Sequence, residues 1–290
     1  MALPRFHDVE GRTLVELCAG SAAVSLRWLR PKARPPLGYQ GGKQGYADAI
    51  LDALGMRPGD GVGNDIVLCE PGPWGDAWEH WRTIEGRADT CARLEAWAGE
   101  DPRTLWERLR AAPVPVEMGE RVATWAVLQF WGFANKPVTW AGSEWEEHGF
   151  IGLPAYRAEQ RERGAAAGYD VSSWATRSLR LPDVVALLRR LPDLSRVRVH
   201  RGPAQDLAPI PGAAVYLDPP YQDATGYGHA FPRAEVLATA ECWRAAGCVV
   251  AVSEACPLPL DGWRTMRLPK RKGAGRTWSK QQEEWLTVSP

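Results

Sequence analysis

The chain has 290 residues, with 35 Lys plus Arg against 35 Asp plus Glu, 45% apolar residues and 15 Trp. That apolar content at 24% charge excludes a disordered chain, and no apolar run reaches the roughly 20 residues that a membrane-spanning helix needs. The start carries Arg5, His7, Asp8 and Glu10 without an apolar stretch and is not expected to be a secretory signal. Six Cys without a C-x-x-C pair are expected to be reduced thiols in a cytoplasmic protein.

In chain order, an apolar β-type run over Thr13–Cys18 leads into the small-residue turn Ala19–Ala23 and a helical pattern from Val24 to Leu29. A second strand, Ile66–Cys69, ends in Glu70. Trp74, Trp78 and Trp81 then recur at i, i+4 and i+7, which predicts a packed helix face, and helices follow over Arg103–Ala111 and Glu120–Trp131. The stretch Gly132–Tyr169 is irregular and contains Lys136, Trp140, Trp145, His148, Arg157, Arg161 and Arg163, and residues 157–168 predict a loop. Further strands are expected at Arg196–His200, Ala214–Leu217 and Cys248–Ser253. Arg264–Leu268 and Glu284–Val288 are expected to pair as a final antiparallel hairpin.

Strands alternating with helices predict an α/β fold, a mostly parallel Rossmann-like sheet with helices on both faces. Between the second and third strands lie about 125 residues, far more than one crossover requires, so an insert is expected. The division expected is a sheet domain over 1–84 and 176–290, with a mostly helical insert over 85–175.

Neutrality is a cancellation along the chain. Residues 61–150 hold eight basic against fifteen acidic residues, whereas 151–205 hold ten basic against five acidic. Arg264, Arg267, Lys270, Arg271, Lys272, Arg276 and Lys280 lie between Asp261 and Glu283 with no acid among them. Such a run makes a local positive field even on a neutral protein, although it also suits a solvated Arg-rich surface.

The tetrapeptide Asp218-Pro219-Pro220-Tyr221, directly after Ala214–Leu217, carries the chemistry. A rigid turn explains the two prolines, which fix φ and remove two donors, but neither the acid before them nor the ring after them. Methyl transfer to an exocyclic amine of adenine or cytosine needs a lone pair that is otherwise delocalised into the ring. Acceptors aimed at the amine hydrogens release it, and the Asp218 carboxylate and Pro219 carbonyl are two such acceptors held stiffly by prolines. Tyr221 offers a face on which a base can stack. The turn after the first strand lets backbone approach a nucleoside, and Glu70 at the end of the second is placed to hold ribose hydroxyls.

These residues resemble the DNA adenine N6-methyltransferases that use S-adenosylmethionine. Glu16–Ala23 looks like that family's cofactor loop, Gly41-Gly42-Lys43 like its Gly-Gly-Lys motif, Asp218–Tyr221 like its catalytic motif, and Glu284-Trp285-Leu286 like its terminal hairpin. Tyr221–Phe231 is similar to the phage-type members. The resemblance implies that Asp218, Pro219, Pro220 and Tyr221 are catalytic. It also implies that Glu16, Ala19, Gly20, Ser21, Tyr39, Lys43, Glu70, Asp206 and Asp218 hold S-adenosyl-L-methionine. The insert would be a target-recognition region on double-stranded DNA. Lys136, Trp140, His229, Arg271, Lys272 and Arg276 are the expected DNA contacts, and a cognate restriction enzyme is a possible companion. Cys18 stands where many members have Phe, and Ala22 where many have Gly. The Gly-Gly-Lys motif follows the cofactor loop here, the reverse of the usual order.

Other classes fit less well. A C5-cytosine methyltransferase needs a Pro-Cys nucleophile, and the chain has only Cys256-Pro257. Cytosine N4 transfer usually goes with Ser in place of Asp, and RNA or protein-glutamine transfer with Asn. The five His have no ligand spacing, so no metal is expected. A nucleic-acid-binding module with a vestigial cofactor fold is the non-enzymatic alternative.

Overall fold

The computed structural model describes residues 11–38, 42–132, 138–141, 143–146, 162–166, 168, 180–221, 231–268 and 283–290. The strands are β1 (Thr13–Leu17), β2 (Asp65–Cys69), β3 (Thr139–Ala141), β4 (Glu144–Glu146), β5 (Val197–His200), β6 (Ala214–Leu217), β7 (Val249–Glu254), β8 (Arg264–Arg267) and β9 (Trp285–Val288). The helices are α1 (Ala23–Leu29), α2 (Ala47–Ala53), α3 (Pro73–Trp81), α4 (Ile84–Trp97), α5 (Pro102–Ala111), α6 (Met118–Trp131), α7 (Leu181–Arg189) and α8 (Arg233–Ala245). The chain divides into two units, 1–35 with 41–83 and 191–290, and 36–40 with 84–190.

The first unit holds a seven-stranded sheet in the order β5-β2-β1-β6-β7-β9-β8 among the described residues. Pairing is parallel from β5 to β7, while β9 runs antiparallel to both β7 and β8. This is a mixed α/β, Rossmann-like arrangement. The central strands are apolar on both faces because both are covered. Val15, Leu17, Val67, Val215, Leu217, Val250 and Val252 pack on one face with Val236, Ala240 and Trp243 of α8. Alternation sends Leu14, Glu16, Ile66 and Tyr216 to the other face, where the Glu16 carboxylate meets Ser25 of α1. From β1 the chain proceeds outward to β2 and β5, then returns to the other side of β1 as β6. The strand order therefore reverses between β1 and β6, and a ligand crevice is expected at their carboxyl ends.

In the second unit, α4 packs against α6 and α7, and α5 against α6. Asp101 caps α5 by accepting from the Thr104 N–H at 2.9 Å, with Pro102 at the first helical position. Gln129 of α6, buried, accepts from the Val138 N–H at 2.9 Å and donates to the Gly38 carbonyl at 3.3 Å. Membership of α7 carries this unit to Arg190, past the 175 expected from the sequence. The stretch read as irregular contains the β3–β4 hairpin, with Trp140 opposite Trp145. Residues 162–166 are helical where a loop was expected, in keeping with the helix propensity of the alanines there. No helix among the described residues is long and apolar enough to cross a membrane.

Candidate active site

The site is assembled where β1 and β6 end. Registration of Glu16 with Tyr216 and Leu17 with Leu217 lets the Asp218 N–H donate to the Leu17 carbonyl at 3.2 Å. The turn after β1 and the Asp-Pro-Pro-Tyr segment after β6 thus leave the sheet side by side.

The turn is unusual in its backbone. Cys18, Gly20 and Ala22 have φ of 56°, 45° and 49°, the left-handed region, which costs an L-residue on the order of 1–2 kcal/mol. Surrounding bonds hold it. Ala19 N–H donates to the Cys69 carbonyl at 3.0 Å, and Ala22 N–H to the Ala19 carbonyl at 2.7 Å. Gly20 N–H donates to Glu70 Oε2 at 2.9 Å, and its carbonyl accepts from Trp78 Nε1 at 2.8 Å. The Trp74, Trp78 and Trp81 face is buried as predicted, with Trp74 and Trp78 stacked at 5.9 Å. Trp78 is therefore both core and a strut for the turn.

Glu70 follows β2, and its carboxylate also accepts from Gly72 N–H at 3.3 Å. Burial pushes its pKa up, and the two backbone donors oppose that shift. Each oxygen holds one of these bonds, so each retains a lone pair for a further donor. Helix α3 packs closely on this strand end, since a Cβ on Gly75 would lie 2.1 Å from the Glu70 carbonyl oxygen. Glu16, buried, accepts from Ser25 N–H at 2.9 Å and Ser25 Oγ at 2.6 Å. Burial raises its pKa to about 7 against those bonds, and Asp218 adds to the rise.

Lys43 reaches Asp218 despite the reversed motif order. It opens a 3₁₀ turn, Lys43–Gly45, next to α2. Its Nζ lies 3.0 Å from Asp218 Oδ1, 3.4 Å from Glu284 Oε1 and 4.8 Å from the Tyr221 ring centroid. Lys43 is only 5% exposed. Burial works to lower its pKa, but Asp218 and Glu284 hold it well above the ordinary value, so it stays an ammonium. Asp218 is raised to about 6 by burial and by Glu284 and Glu254, with Lys43 opposing. The Tyr221 hydroxyl donates to Glu284 Oε1. Burial and the neighbouring carboxylates keep that phenol protonated. Behind Asp218, the Tyr216 hydroxyl and Ser253 Oγ share a buried bond of 2.7 Å.

Structure thus brings together Glu16, Ala19, Gly20, Ser21 and Glu70 around the β1 turn, and Lys43 with Asp218 and Tyr221 beside it. Pro219 and Pro220 continue from Asp218 at the end of β6. Asp206 is exposed at the end of the 3₁₀ turn Ala204–Asp206, after β5, and is near enough to Cys69, the neighbour of Glu70, for its charge to add to the burial that pushes that thiol's pKa up. Tyr39, Lys136, His229, Arg271, Lys272 and Arg276 lie outside the described residues, and Trp140 is described in its backbone alone. Sequence reasoning did not single out Glu284, Ser25 or the Trp78 indole as parts of the site. In the sequence Glu284 figures only as the first residue of the last expected strand and of the Glu284-Trp285-Leu286 segment that resembles a terminal hairpin. Among the described residues, no group of three or more His, Cys, Asp or Glu is placed to hold a metal ion. No protein-family model matches the chain, and neither does any curated protein sequence.

Proposed function

We propose that the protein is a site-specific DNA methyltransferase that uses S-adenosyl-L-methionine and methylates the N6 amine of an adenine flipped out of the duplex. The observation that carries this reading is the adjacency of Asp218-Pro219-Pro220-Tyr221 to the Cys18–Ala22 turn at the strand-order reversal, tied by the Asp218–Leu17 bond. The reversed strand β9 agrees with the terminal hairpin of the adenine methyltransferases that the sequence resembles.

The residues present suit the cofactor. Ala19, Gly20 and Ser21 leave room for a nucleoside against backbone, the spare lone pairs of Glu70 match vicinal hydroxyls, and the carboxylates of Asp218 and Glu16 favour a nearby cation. When bound, S-adenosylmethionine supplies an electrophilic methyl group on a sulfonium. The chain's own residues do the rest. Tyr221 stacks on the base, a contact worth roughly 1–3 kcal/mol that offsets part of the cost of unstacking. Lys43 occupies Asp218 Oδ1, which leaves Oδ2 to accept one amine hydrogen, and the Pro219 carbonyl accepts the other. With its hydrogens held, the amine nitrogen would have its lone pair available to the methyl carbon. The carbon–sulfur bond would break to leave a neutral thioether, the extra proton on nitrogen would pass to water, and rigid placement would supply the rate.

The unit over 84–190 is the proposed target-recognition region, and the basic stretch over 264–280 supplies phosphate contacts that position without reading sequence. A cytoplasmic site of action and a companion restriction enzyme belong to the same reading. The test is incubation with labelled S-adenosylmethionine and mixed-sequence DNA, followed by mass identification of the modified nucleoside. N6-methyladenine, lost in Asp218→Ala while cofactor binding persists, is the expected result. N4-methylcytosine would replace the assigned base. Cofactor binding without transfer to DNA would favour the non-enzymatic module.

A further inference from the structure

Glu284 is a buried-site carboxylate to which the sequence resemblance gives no role. It stands one residue before β9. Because β9 runs against β7, its beginning lies at the carboxyl ends of the parallel strands, where the site is. A parallel strand in that place would deliver its last residue there instead. The backbone of Glu284 is pinned, since its carbonyl accepts from Leu268 N–H at 2.8 Å and the next residue is registered with both Glu254 and Arg267.

One oxygen, Oε1, serves two groups of the proposed machinery. It accepts from the Tyr221 hydroxyl and lies 3.4 Å from Lys43 Nζ, which in turn lies 3.0 Å from Asp218 Oδ1. The Glu284 side chain is 13% exposed, so water competes weakly for these contacts. A tyrosine ring anchored only by packing can tilt, whereas a ring whose hydroxyl is fixed to a pinned carboxylate keeps its face in one plane.

We propose that Glu284 is a positioning residue for base methylation. It fixes the plane of the Tyr221 ring through its hydroxyl and holds Lys43 on Asp218 Oδ1, so that the stacking surface and the free oxygen Oδ2 meet the flipped base together. This rests on the methyltransferase reading above. The groups that face Glu284 are Lys43, Tyr221, Asp218, Glu254, Tyr46 and Tyr216.

The experiment compares wild type, Glu284→Ala, Glu284→Gln, Tyr221→Phe and the Tyr221→Phe/Glu284→Ala double variant. It measures kcat for methyl transfer, Kd for S-adenosylmethionine and thermal melting. Glu284→Ala is expected to lower kcat by about tenfold or more with cofactor Kd unchanged, because misplaced reacting groups lose rate steeply. Glu284→Gln, which keeps an acceptor for both the hydroxyl and the ammonium, is expected to restore most of that loss. The double variant is expected to be less impaired than the two single losses multiplied, because both remove one contact. Transfer by wild type with Glu284→Ala within about twofold of it, or a Gln variant as impaired as Ala in a folded protein, overturns the positioning role alone. Absence of any transfer by the wild-type protein overturns the methyltransferase reading and this role with it.

Discussion

Lys43 and Asp218 are 175 positions apart in the chain, and their side chains meet at 3.0 Å in a setting where the lysine is 5% exposed. The ammonium sits between two carboxylates, Asp218 and Glu284, with Glu254 adding a third negative charge nearby. One cation among several anions keeps its proton, and it also keeps Asp218 ionised closer to neutrality than burial alone would allow.

A pH profile follows from that balance. In the proposed mechanism Asp218 accepts amine hydrogens as a carboxylate, so transfer should fall as pH drops through its pKa of about 6. In Lys43→Met the opposing ammonium is gone, the carboxylate is harder to form, and the acidic limb of kcat/KM should move to higher pH. Circular dichroism establishes that the variant is folded. A limb left where it stands in wild type would mean that Lys43 does not tune Asp218.

Close approach of α3 to β2 sets a steric prediction. A Cβ at position 75 would meet the Glu70 carbonyl oxygen at 2.1 Å, a distance that neither backbone can relieve without moving. Gly75→Ala should therefore lower unfolding free energy by roughly 1–3 kcal/mol and weaken cofactor binding, because Glu70 and the Gly20 turn shift with the strand end. Chemical denaturation with parallel ligand titration measures both. A variant as stable as wild type with unchanged affinity would contradict the packing.

The inner strands β1, β2, β6 and β7 were legible because they are short, mostly buried apolar runs that each lead into a small or acidic residue, whereas the edge strands β5 and β8 carry Arg at exposed positions. Helix α4 was not legible, since its buried positions are Gly86, Thr90, Cys91 and Leu94, a stripe too polar to register as apolar periodicity. The Asp218 segment announced itself through the acid before its two prolines and the aromatic ring after them, directly behind an apolar strand. The Lys43 and Glu284 contacts could not be read, because they depend on where the 3₁₀ turn between α1 and α2 and an antiparallel register deliver single side chains. Ala22 shows the same limit. Its left-handed φ of 49° explains why Gly suits that position in the family that the sequence resembles, yet nothing local in the sequence declares the strain.

Charge in the 264–280 stretch gives a prediction about DNA. Seven Lys or Arg stand there with no acid among them. Replacing Arg271, Lys272 and Arg276 together by Ser should weaken binding to all duplex sequences alike, and it should reduce the slope of log affinity against log salt by about 0.9 per lost phosphate contact. Fluorescence anisotropy over a salt series measures it. An unchanged slope would leave the stretch as solvated surface.

Stability should also respond to the buried carboxylate on β1. Glu16 has an ordinary pKa of 4.5 and is raised to about 7 by burial in the fold. Between those values the folded state binds more protons than the unfolded chain, so stability falls as pH rises through that window, and the penalty is fully present above it. Asp218, raised from 3.8 to about 6, adds a decline of the same sign at lower pH. Glu16→Gln keeps an acceptor for Ser25 but has no proton to lose. Its melting temperature should therefore drop less than that of wild type between pH 5 and pH 8, and at pH 8 it should be the more stable of the two. Equal drops in both proteins would show that Glu16 carries no such penalty.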